Sequence, residues 1–216
     1  MVNTQVTQNE DDKIAIDFLD PLFAVVLHMS FVQMKEEPWF SNFRLTYHYP
    51  YYFQISTLFL AYLTIILSWV GYHRSIKKSP IGLESKWGWG RFFADIFLLI
   101  AYFVLVVSYN TFRRELLVLV LIFFLFFVWD QFKRRERPET EDSRARRGVT
   151  VLWFFVFLVL ALFYCLHPPA ESRSCEDWII LLAAALGTLL YRWHKEHLDW
   201  LGWKRLLLAL GFPKSQ

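Results

Sequence analysis

Residues Leu116 to Trp129 read LLVLVLIFFLFFVW, an unbroken apolar run between Arg113-Arg114-Glu115 and Asp130. A helix on the surface of a soluble protein carries polar residues along one face, and this run carries none. With its flanks it reaches the roughly 20 residues that a helix needs to cross about 30 Å of hydrocarbon. The stretch therefore reads as a membrane span, and it sets the terms for the rest of the chain.

Five more stretches follow the same pattern. The six predicted spans are 14–34, 52–72, 90–109, 112–131, 148–168 and 177–194. The last has a short apolar core, from Trp178 to Tyr191, interrupted by Gly187. The chain has 216 residues, of which 56% are hydrophobic and 19% aromatic, more apolar than an ordinary soluble domain of this length. Trp69, Trp87, Trp89, Trp129, Trp153, Trp178 and Trp193 fall near span ends, as an interfacial aromatic belt requires.

Charge tests the count independently. Six spans place 18 of the 23 Lys and Arg residues on the side that holds both termini. The positive-inside rule then makes that side cytoplasmic. The expected fold is all-α: a polytopic protein of the inner (plasma) membrane with six transmembrane helices, N-in and C-in. Residues 1–13 form a polar cytoplasmic N-terminus, and with no basic region before the first span no signal peptide is expected. Residues 14–196 form the membrane domain. Residues 197–216 are expected as an amphipathic interfacial helix and tail, with Leu198, Leu201, Leu206 and Leu210 among Asp199, Lys204 and Arg205. The competing reading of that segment is an extension of the sixth span. The aromatic outer loop 35–51 is expected on the interface. The charged inner loop 132–147 is long enough to move or to dock a cytoplasmic protein partner.

Both cysteines lie at the outer end of the fifth span. Cys165 and Cys175 are a candidate disulfide, since the loop is expected outside the cytoplasm. Free thiols are the equal alternative. Adding His167 still leaves too few ligands for a closed metal site. No phosphate-binding loop, nucleophile elbow or zinc-protease motif occurs, so neither an enzyme nor a cofactor is expected. The net charge of +3 reflects basic loops that set topology, not nucleic-acid binding.

The first span is unusual in carrying Asp17, Asp20 and His28. Ionisable groups at membrane depth are costly and usually face protein or a watery path. Val25, His28 and Val32 fall on one helical face. Such a row could form a narrow apolar constriction that controls ion hydration. The alternative is a His28 hydrogen bond to a neighbouring span, for example to Thr64. Pro21 allows two geometries. Either Asp20 caps a short helix, or a helix from Ile14 bends at Pro21, and the second is preferred.

The stretch Phe18-Leu19-Asp20-Pro21-Leu22-Phe23-Ala24-Val25 resembles the first-span signature of the transmembrane protein 175 potassium channels. Phe59-Leu60-Ala61-Tyr62-Leu63, Trp69-Val70-Gly71-Tyr72-His73-Arg74 and Arg91 before the third span are similar to that family's pattern. The likeness covers about residues 14–105. Leu19 stands where the family has Ser, Pro21 where it has a small residue, and Ile14 where it has Arg. The resemblance implies a homo-tetrameric ion channel, permeable to potassium or another monovalent cation, with the first helix around a central pore. It places the pore lining at Val25, His28 and Val32, and a structural polar network joining the first two spans at Asp20, His73 and Arg74. Four imidazoles in the throat would close the pore, or weaken its cation selectivity, as pH falls. The alternative function is a non-conducting membrane sensor or anchor subunit. It would work with a cytoplasmic effector, for example in a stress or anti-phage defence system.

Overall fold

The computed structural model describes residues 19–29, 31–32, 35, 49–78, 81, 83–136, 141–167 and 175–197. The N-terminal segment with Asp17, most of the 35–51 loop, the 168–174 connection and the segment expected as an interfacial C-terminal helix lie outside them. The described residues form six helices and no strands: α1 (Leu19–Met29), α2 (Tyr49–Lys78), α3 (Lys86–Val107), α4 (Phe112–Glu136), α5 (Glu141–Leu166) and α6 (Cys175–Glu196). Four of them, α2 to α5, are long and apolar enough to cross a membrane.

Local chemistry fixes several of the ends. Ser85 caps α3, its side chain accepting the Trp87 backbone N–H at 3.1 Å. Helix α4 ends on Lys133, Arg134 and Arg135, which complement the negative end of its dipole. Helix α6 opens with Glu176 and Asp177 and closes with His194 and Lys195, again with the dipole. Leu19 and Asp20 are already helical, so Asp20 is not a non-helical cap before Pro21.

The expected 132–147 loop is mostly helix, a correction to the sequence reading. Helix α4 runs on to Glu136 and α5 begins at Glu141, leaving only 137–140 between them. Arg, Lys, Glu and Gln are good helix formers, so charge does not end a helix. The one strong breaker in the segment is Pro138.

Helices α2 to α6 pack in chain order, each on the next, and α6 returns to pack on α2. The five helices thus close into a ring. Fully buried Leu60, Ile65, Leu105, Leu119, Ile122, Phe157 and Ala184 form its packed part. Phe123 stacks on Phe157 with ring centroids 4.3 Å apart and meets Tyr191 edge-on at 4.9 Å. Gly187 lets the Trp153 and Phe157 rings approach α6, where an added Cβ would sit 3.2 Å from each. Helix α1 lies against the ring through Leu19 and Phe23, whose ring is 5.8 Å from that of Tyr102. The outer faces of the ring expose Phe97, Ile100, Leu121, Phe155, Phe163 and Ile179. Large apolar side chains outside and a packed core inside make the exterior of a membrane protein.

Candidate functional site

A cavity of about 680 Å³ lies inside the ring. All six helices line it. Its inner part is apolar, with Phe23, Leu67, Leu98, Leu99, Phe123 and Phe126. From Phe123 to Arg134 along α4 is eleven residues, or about 16 Å at 1.5 Å each. Over that length the lining becomes cationic, and exposed Arg74, Arg134 and His197 mark the end where it opens.

The basic end is a built network. Lys195 Nζ donates to Tyr191 Oη at 3.0 Å and Thr150 Oγ1 at 3.2 Å, and lies 3.3 Å from Asp130 Oδ2. Thr150 Oγ1 donates to Asp130 Oδ2 at 2.8 Å. Arg192 Nε is 2.6 Å from Glu196 Oε1, and Arg74 pairs with the same carboxylate. Lys133 Nζ donates to Ser75 Oγ at 3.1 Å and sits 5.3 Å from the centre of the Trp129 ring. The Arg192 guanidinium occupies the place that a Cβ would take at Gly71. Deeper in, Ser68 and Tyr102 share a hydrogen bond across α2 and α3.

Beside the cavity, Arg91 is wholly buried. Its Nη1 donates to Glu136 Oε2 at 2.5 Å, and its guanidinium lies 4.7 Å from the Trp129 ring. On sequence alone Arg91 falls at the start of the predicted span 90–109 and Glu136 in the expected 132–147 loop, with nothing to pair them. At the opposite end of the bundle Glu115 is wholly buried, and neither carboxylate oxygen has a partner among the described residues. Asp177 is also buried there. Neither is a candidate site residue on sequence alone. Glu115 was legible as the acid that directly precedes the apolar run from Leu116 to Trp129.

The residues expected at the pore do not reach this cavity. Val25, His28 and Val32 all lie on the exposed side of the first helical segment, with Val25 54% and Val32 41% exposed. Leu22, Phe23, Val26 and Leu27 take its packed side. Thr64, the alternative partner for His28, is buried and donates to the Leu60 carbonyl at 2.9 Å. Asp20 Oδ1 lies 3.1 Å from His73 Nε2, bringing α1 to α2. Arg74, expected with them, points instead to Glu196 on α6. The candidate disulfide is not formed: Cys165 and Cys175 are both free, and Cys165 Sγ accepts from Arg113 Nε at 3.3 Å. Among the described residues no three His, Cys, Asp or Glu side chains gather to hold a metal. No family model matches the chain, and no curated protein or solved structure matches it either.

Proposed function

We propose that the chain is one subunit of an oligomeric cation channel, permeable to potassium, with its conducting path along the outer face of the first helix. The observation that carries this reading is His28, exposed between exposed Val25 and Val32 while the opposite side of the helix packs on its own subunit. An ionisable ring on an outward face is costly against lipid and suits water or another subunit. In this reading the first segment and α6 complete six spans, both termini are cytoplasmic, and four copies in the plasma membrane surround the pore. The resemblance to the transmembrane protein 175 channels supports the same arrangement. The test is potassium and proton flux in liposomes containing the purified protein. Flux that falls on acidification, and no longer does so in His28→Ala, supports the reading. No flux, or a pH response unchanged in His28→Ala, refutes it.

A second reading, a non-conducting sensor or anchor, is favoured by one observation. The basic helical ends of α4 and α5, at Lys133–Arg135 and Arg144–Arg147, lie on the side proposed to face the cytoplasm. An effector protein would dock there. Absence of both flux and particle symmetry in the same preparation would select this reading.

A further inference from the structure

We infer that the cavity inside the helix ring is a binding site for a phosphate-bearing amphiphile, its phosphate at the basic end and its apolar part among the rings and leucines below. The volume, about 680 Å³, is in the range of small-molecule sites. Charge sets the class of ligand. Seven cationic side chains line the cavity (Arg74, Lys133, Arg134, Arg146, Arg147, Arg192 and Lys195) against Asp95, Asp130 and Glu196. Each acid already faces a cation. Glu196 meets Arg74 and Arg192, Asp130 meets Lys195, and Asp95 lies beside Arg91. A bare metal cation would meet net positive charge here, whereas an anion would neutralise it. Guanidinium forks offer paired donors that match the oxygens of a phosphate, and several cations gathered at one end suit its charge. The hydrogen-bond and ring partners of Lys133 are neutral, the Ser75 hydroxyl and the Trp129 ring; the one carboxylate near it, Asp130, is already paired with Lys195, and Arg91, Arg146 and Lys195 add positive charge around it. The Tyr72 hydroxyl, on the cavity wall, has no partner among the described residues and adds a donor. Apolar walls below lower the local dielectric and strengthen the attraction.

Two sources carry this chemistry: an anionic phospholipid of the surrounding bilayer, or a soluble nucleotide from the aqueous side. The inference stands apart from the channel reading, since none of its residues belongs to the Val25–His28–Val32 face. Failure of flux would leave it intact.

The test uses the full chain in neutral detergent, with thermal unfolding and equilibrium binding measured for two probes. One is short-chain phosphatidylglycerol, with phosphatidylcholine as the zwitterionic comparison. The other is ATP. Saturable binding of either probe, with a rise in unfolding temperature, is expected. Phosphatidylglycerol alone would assign the site to lipid, and ATP alone to a soluble ligand. Lys133→Gln and Arg146→Gln should each weaken the active probe at least about tenfold, one lost charge-assisted contact at about 1.4 kcal/mol per decade. Lys133→Arg and Arg146→Lys should restore it. Arg113→Gln, at the far end of the bundle, should leave binding within about twofold. No saturable binding of either probe, or equal weakening by Arg113→Gln, overturns the inference.

Discussion

Replacing Arg91 by Met removes the most deeply buried cation of the bundle and keeps most of its volume. The structure sets the scale. Arg91 is 0% exposed, and its partner Glu136 is 4% exposed at the side chain. Asp95, one helical turn further on, is 5% exposed. Without Arg91 both carboxylates lose their nearest cation, and the Trp129 ring loses a guanidinium at 4.7 Å. Breaking a buried pair by removing one partner costs about 3–5 kcal/mol, because the other charge stays buried. Glu136→Gln should cost less, about 1–2 kcal/mol. The amide can still accept from Arg91, which also keeps Asp95 and the Trp129 face. The double variant should fall short of the summed single costs by at least about 1 kcal/mol, since the two residues are in direct contact. The assay is SDS titration of the detergent-solubilised protein, followed by the fluorescence of its ten Trp residues. A cost below about 1 kcal/mol for Arg91→Met, or strict additivity in the cycle, would refute the account of this pair as a buried, coupled tie between α3 and α4.

Two further outcomes are expected. Phe157→Ala, deleting a ring that is 1% exposed and stacked on Phe123, should cost about 3–5 kcal/mol in the same titration. Phe155→Ala, at a residue 54% exposed, should cost well under half as much, and equal costs would refute the assigned faces of α5. The denatured but unreduced protein should take up two maleimide adducts, at Cys165 and Cys175. Uptake only after reduction would show a disulfide instead.

The long apolar helices were legible because nearly unbroken apolar stretches such as Leu116 to Trp129 have few other uses. Their ends were harder. In the 132–147 segment, charge suggested a loop, yet Lys, Arg and Glu continue a helix as well as Leu does, and the described residues are helical up to Glu136 and again from Glu141. Arg91 and Glu136 show the deeper limit. They are 45 residues apart, and nothing local to either marks it as the other's partner. The cavity was invisible for the same reason. Its lining comes from all six helices, a few positions from each, and only the closure of the ring brings them together. Asp20 and His73 were proposed as neighbours from a family pattern and lie 3.1 Å apart, whereas Arg74, adjacent in sequence, turns to another helix. One residue along a helix turns the side chain by about 100°, enough to change partners.

The return of α6 onto α2 also bears on the order of assembly. Chain synthesis delivers α2 to α5 before the helix that completes the circle, so until α6 arrives Asp130 lacks its ammonium and the inner wall stands open on one side. Helix α6 is not among the four helices long and apolar enough to cross a membrane, and it carries Lys195 and Glu196, the side chains that meet Asp130 and Arg74 on arrival. Its docking is therefore tied to recognition by helices already in place, and a chain truncated before Cys175 should leave the ring of helices open between α2 and α5.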